Sequence, residues 1–181
     1  MAAFIKIAVN LGFGLPGFGS SSSIDFGTNY TWLAEFTSTP VAAFPNIQNK
    51  CAGSFGPTCG QPLPRWRGTS RITWNIEDLS LSVRHRYVGP VVTDRFVVPL
   101  RQGSAAAPTL ASIAFPKLDD QNYFDLSFSY DIAKQVQLFG GANNVFNNKP
   151  PITTQGPNAN TFSATYDVLG TEFFLGATLK F

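Results

Sequence analysis

Apolar and polar positions alternate along most of this chain with a period of two. Near the C-terminus, Phe124, Leu126, Phe128 and Tyr130 fall on one face, and Asp125, Ser127, Ser129 and Asp131 on the other. A short polar turn, Ile132 to Gln135, reverses the chain. A further strand is predicted through Val136, Leu138, Gly140 and Ala142 to Phe146. After a loop with Asn147, Asn148, Pro150 and Pro151, a last strand begins. There Thr171, Phe173, Leu175, Ala177, Leu179 and Phe181 alternate with Glu172, Phe174, Gly176, Thr178 and Lys180. Upstream, the same alternation predicts strands over residues 5–13, 24–36, 66–74 and 79–87. Repeated segments of about ten residues, apolar outward and polar inward, are the pattern of a transmembrane β-barrel. The expected fold is all-β, an antiparallel meander of about seven strands.

The predicted connections alternate in length. Short ones fall near residues 15–23, 75–78 and 132–135, and long ones near 37–64, 89–120 and 147–166. Outer-membrane barrels have short periplasmic turns and longer extracellular loops. The first strand therefore descends to the periplasm and the last one ends there.

The two faces differ in charge. Outward positions of the predicted strands carry no Asp, Glu, Lys or Arg. Inward positions carry Lys6, Asp25, Glu35, Arg67, Arg71, Arg84, Arg86, Asp125, Glu172 and Lys180. A basic residue facing lipid at mid-membrane costs about 2–4 kcal/mol, whereas a wet lumen tolerates it. A soluble sandwich would also alternate, but it would turn its apolar face into a core. Aromatics sort by depth as well. Phe26, Trp74, Tyr130 and Phe181 lie near predicted periplasmic ends, and Trp66, Tyr87 and Phe146 near extracellular ends. Those are girdle positions, where an amphipathic ring meets the headgroups.

Four stretches carry a family resemblance. "GGANNVFNNKPP", then "YDVLGTEFFLGATLKF" ending on Phe181, resembles the C-terminal end of TonB-dependent outer-membrane receptors. "CAGSFGPTCGQPLPRWR" and "QNYFDLSFSYDI" resemble the same family. The resemblance runs from roughly residue 20 to the end. It implies uptake of a scarce ligand of the siderophore, cobalamin or saccharide class, with energy from TonB. Receptors of this kind have a plug domain inside about 22 strands. Residues 1–181 are therefore expected to be a partial barrel, its C-terminal strands, not closed in this chain and without the plug. The implied partners are outer-membrane lipid, the missing N-terminal barrel and plug, and the barrel-assembly machinery, which would read the last strand and Phe181. TonB would be reached only through the plug. The implied location is the outer membrane of a Gram-negative bacterium. The alternative is a small structural or porin-like barrel without TonB coupling.

Composition agrees with a membrane wall. Only 13% of the 181 residues are charged, and 17 are Phe. The charged share is about half the usual quarter. No run of about 18 apolar residues provides a transmembrane helix. A net charge of +2 gives no clustered basic stripe for nucleic acid. The opening "MAAFIKIAVNLGFGLPGFG" lacks the basic n-region of a signal peptide.

Candidate chemistry is sparse. Cys51 and Cys59 are the only cysteines. In light of the resemblance they form a small disulfide loop in an oxidising compartment; two free thiols are the plainer alternative. No second pair or histidine cluster accompanies them for a metal. The single histidine, His85, is expected to face lipid, where no carboxylate can orient it for hydrolysis. "GFGLPGFG" lacks the Lys-Ser/Thr of a phosphate loop and reads as a turn. Arg67, Arg71, Arg84 and Arg86 face inward on adjacent strands. They would either line a path for an anionic solute or pair with carboxylates of the wall or plug. No cofactor and no catalytic centre are expected.

Overall fold

The computed structural model describes residues 2–13, 22–39, 43, 46, 48–104, 108–157 and 160–179. In chain order it begins with two long strands, β1 (Ala2–Phe13) and β2 (Ser22–Leu33). Three short ones follow: β3 (Thr37–Ser38), β4 (Asn49–Lys50) and β5 (Ser54–Phe55). Then come β6 (Trp66–Ile76) and β7 (Leu79–Val88). Short β8 (Val91–Thr93), helix α1 (Asp94–Arg101) and short β9 (Lys117–Leu118) precede β10 (Gln121–Ala133). β11 (Val136–Asn143) and β12 (Glu172–Leu179) complete the order.

The seven long strands form one antiparallel sheet in the order β1-β2-β6-β7-β10-β11-β12. Every long strand pairs with its sequential long-strand neighbour, as the alternation predicts. The sheet is open: β1 and β12 each pair on one side only.

The register fixes the faces, because residues directly opposite each other in a ladder share a face. Gly27, Arg71, Arg84 and Asp125 lie in one row across β2, β6, β7 and β10. The next row toward the long loops holds Asn29, Thr69, Arg86 and Tyr123. On the opposite face Phe26, Ile72, Val83, Leu126 and Ala142 align. Every charged residue of the described strand interiors falls on the first face: Lys6, Asp25, Arg67, Arg71, Arg84, Arg86, Asp125, Asp131 and Glu172. The other face is mostly apolar, broken by Thr28, Ser70 and His85 in one row, and solvent-accessible, with Ile72 49%, Leu126 45% and Leu175 73% exposed.

Two strand ends fall three residues short of expectation, while β1, β2, β6, β7 and β10 extend one to three residues beyond it at other ends. β2 stops at Leu33, three residues early, because the Leu33 N–H donates to the Arg65 carbonyl and the chain then leaves the sheet. β11 stops at Asn143 rather than Phe146, because Asn144 takes a left-handed conformation, φ 48°. The expected turn over 15–23 lies almost wholly outside the described residues, and so does Phe181.

The long connections are not featureless. All three gather at one end of the sheet and fold over it. β5 pairs in parallel with β8, and β8 antiparallel with β9. α1, absent from the sequence reading, starts on Thr93, whose side chain accepts from the Arg95 N–H. Phe55, Val88, Val91, Leu118, Phe162 and Tyr166 make a buried cluster under this layer. Each large side chain buried there contributes about 1.5–3 kcal/mol. Strands of two or three residues are too short to show a period, so the sequence pattern could not announce them.

Candidate functional site

The inward face at the loop end carries a charge network centred on Asp125. Its Oδ2 accepts from Arg84 Nε at 2.8 Å and Arg86 Nε at 2.9 Å, and its Oδ1 from Arg86 Nη2 at 3.0 Å. The Asn144 N–H also donates to Oδ1, at 2.8 Å. Asp125 is only 5% exposed, which is tolerable because each oxygen has two donors. Arg86 continues to Asp167 at 2.9 Å and lies over the Tyr123 ring, 5.0 Å from its centroid. The Asp167 N–H in turn donates to the Tyr123 hydroxyl.

Of the predicted arginine cluster, the structure therefore joins Arg84 and Arg86 through Asp125 of the wall, and Arg86 also to Asp167 of the third connection. Arg67 and Arg71 share the face but have no carboxylate partner among the described residues. Arg71 stands directly opposite Arg84, a like-charge cross-strand pair that Asp125 relieves on one side only. A half-open cleft of about 280 Å³ lies between Arg67 and Arg86, walled by Asn29, Thr31, Thr69, Tyr123 and Thr165. It presents guanidinium and hydroxyl donors with no buried metal-ligand cluster; no group of three His, Cys, Asp or Glu converges among the described residues.

Asn144 is a key residue that the sequence reading did not single out. Its side chain is fully buried and holds Asn148 at both ends: Oδ1 accepts the Asn148 N–H at 2.9 Å, and Nδ2 donates to the Asn148 carbonyl at 3.0 Å. Asn148 Nδ2 reaches back to the Asn122 carbonyl at 2.5 Å. The Thr171 hydroxyl donates to the Asn144 carbonyl at 2.8 Å. The missed residues, Asp167, Tyr123 and Asn144, all sit inside the stretches quoted above, "YDVLG", "QNYFDLSFSYDI" and "GGANNVFNN". The motif strings were the available signal; only the fold shows that they meet.

Above this network, Cys51 and Cys59 form a disulfide. The loop that it closes carries Phe55, which meets Phe162 edge-on at 5.8 Å. Asp94, 1% exposed at the start of α1, clasps the same loop: its Oδ2 accepts the N–H groups of Thr58 at 2.6 Å and Cys59 at 2.8 Å. Gly56, φ 135°, passes so close that any Cβ there would strike Asp94 and Gln155. Burial drives the Tyr166 phenol well above its usual pKa. Burial, with the Arg65 charge beside it, pulls the Arg101 guanidinium below its ordinary value.

His85 lies on the apolar face, stacked on Phe124 at 4.7 Å, with Nε2 2.9 Å from Asn122 Oδ1. No carboxylate contacts it among the described residues. Trp32 and Trp66 stack at 6.2 Å, and Tyr30 faces Tyr87 at 6.4 Å, all near the loop end of the sheet.

No family model and no curated protein matches this chain. Among solved structures it is similar to two variants of the ferric enterobactin receptor of Pseudomonas aeruginosa, one of them in complex with enterobactin. Sequence identity is 14% and the TM-score 0.47 in both cases. The similarity covers 99% and 98% of this chain, which spans 31% of the length of those receptors.

Proposed function

We propose that this chain forms part of the wall of a transmembrane β-barrel in the outer membrane of a Gram-negative bacterium. The barrel acts as a receptor that takes up a scarce ligand of the siderophore, cobalamin or saccharide class, with energy from TonB. The observation that carries this reading is the sorting of charge: all Asp, Glu, Lys and Arg of the seven long strands, among the described residues, share one face, and the other face carries none. A lipid-facing surface requires that sorting; a solvated one does not. The loop layer at one end and the short turns at the other support an outside and a periplasmic side. Further strands at the β1 and β12 edges would close the wall around a plug, and the last strand would be read by the barrel-assembly machinery.

The test is made in cells. Lys50 and Lys117, exposed in the loop layer, should react with a membrane-impermeant amine label added outside intact cells. Uptake of a labelled iron–siderophore, cobalamin or saccharide should depend on both this gene and TonB. Labelling only after the outer membrane is breached would sink the topology. Uptake that continues without TonB would favour the porin-like alternative.

A further inference from the structure

We infer that the Cys51–Cys59 disulfide is a thiol-exchange site, and that its reduction unlocks the loop layer and releases Asp167 from Arg86. The disulfide is tied to all three long connections. Its loop donates two backbone N–H groups to Asp94, which stands on the second connection. The other Asp94 oxygen is buried, without a hydrogen-bond partner among the described residues, and faces Gln155 of the third across the notch at Gly56. Gln155 touches Thr93 Oγ1 with both ends of its amide, at 3.1 and 3.2 Å. Either orientation of the amide serves Thr93, and the other one turns an N–H toward Asp94. Asp94 thus holds the first connection onto the second, beside the Thr93–Gln155 contact to the third, and it needs the Thr58–Cys59 backbone to stay where the disulfide holds it.

The path onward is short. Phe55, inside the disulfide loop, packs on Phe162. The N–H groups of Thr165 and Tyr166 bond the Phe162 carbonyl, and the next residue is Asp167, held on Arg86. Opening the disulfide loop would leave Asp94 with an uncompensated buried charge and take Phe55 off Phe162. The strap over residues 160–167 would then lose its anchor, and the cleft beside Arg67 would face an Arg86 guanidinium held by Asp125 alone.

The surroundings favour exchange. Cys59 is half-buried, whereas Cys51 is fully buried. The Arg101 guanidinium donates to the carbonyls of Lys50 and Ala52, on either side of Cys51. Arg65 lies against Gly53, two residues beyond Cys51, so both guanidinium groups stand beside the segment that carries the departing sulfur. A neighbouring cation lowers a thiol pKa and makes it a better leaving group. The step is ordinary exchange: an external thiolate attacks Cys59 Sγ, the S–S bond breaks, and Cys51 Sγ leaves as a thiolate. A second thiol then displaces Cys59, giving two protein thiols and one external disulfide. Two electrons and two protons come from the thiol reductant.

The inference rests on the proposed receptor reading only for the extracellular source of the reductant. The test on the detergent-solubilised protein is independent of it. In detergent micelles, dithiothreitol without denaturant should reduce the bond while the sheet stays folded. Amide exchange over residues 160–167 should then rise roughly tenfold and return on reoxidation. Arg101→Gln should slow reduction several-fold without changing exchange before reduction. A Cys51→Ala/Cys59→Ala double variant should show the fast exchange from the outset. A bond that resists dithiothreitol until the sheet unfolds, or one that is reduced with no change over 160–167, would overturn the inference. Equal reduction rates for the wild type and Arg101→Gln would overturn the leaving-group argument.

Discussion

Asp125 is the hub of the charge network on the inward face. Three arginine N–H groups and one backbone N–H converge on its carboxylate. Asp125→Asn turns one acceptor into a donor and leaves two guanidinium groups facing it. Both arginines keep water on about a third of their surface, 36% and 31%, so the cost falls below that of a fully buried pair. The expected loss is roughly 2 kcal/mol, read from the midpoint of thermal unfolding in detergent. Adding Arg84→Gln to Asp125→Asn should cost less than it does in the wild type, since the two share one interaction. Gly68 poses a packing limit. A Cβ there would enter the Tyr30 ring, so Gly68→Val should be destabilised by about 1–3 kcal/mol, and Tyr30→Ala should relieve much of it. Tyr166 gives a pH dependence. Its folded pKa is raised, so its contribution is full below the unfolded value of about 10 and falls as pH rises beyond it. Exchange protection in the loop layer should therefore weaken above about pH 10, and Tyr166→Phe should remove that part of the dependence.

At the scale of the strand, the decisive quantity is which face a residue meets. Leu126 and Ser127 are neighbours in β10 with opposite outlooks. Leu126 aligns with Val83 and Ala142 on the apolar face, and Ser127 with Ser82 and Gly141 on the charged one. Leu126→Arg should block assembly in the membrane, at a cost of about 2–4 kcal/mol, while Ser127→Arg assembles. The measurement is the yield of heat-modifiable protein in the outer-membrane fraction. Similar yields for the two variants would contradict the register. The loop elements follow a different logic. β5, β8 and β9 are held by the cluster around Phe55 and by the disulfide, not by their own length.

For the whole molecule, the open sheet sets the behaviour. β1 and β12 present unpaired edges, and an apolar face runs across seven strands. Such edges and such a face recruit other chains unless they are covered. The chain by itself should stay dispersed in detergent and precipitate within a dialysis step that removes it. A monomer stable in plain buffer would argue for a soluble sandwich. Pairing of residues 2–13 with 172–179 in a structure of the assembled protein would argue for a small closed barrel.

The sequence by itself determined the seven strands, their order, their faces and the end at which the long connections lie. It could do so because a period of two is a local property, written in each segment as Phe124-Asp125-Leu126-Ser127 is. The same holds for the position of Arg67, Arg71, Arg84 and Arg86 on one face. Which of those arginines would be neutralised was decided by the tertiary structure. Asp167 lies 81 residues from Arg86 along the chain, and no spacing rule links them. The loop layer was decided in the same way. Asp94, Gln155 and the Cys51–Cys59 loop come from three separate connections, and Phe55, Leu118 and Phe162 come together only once the sheet has fixed the ends of those connections. Local periodicity specifies a wall; contacts between distant loops depend on where the wall holds the ends of each connection.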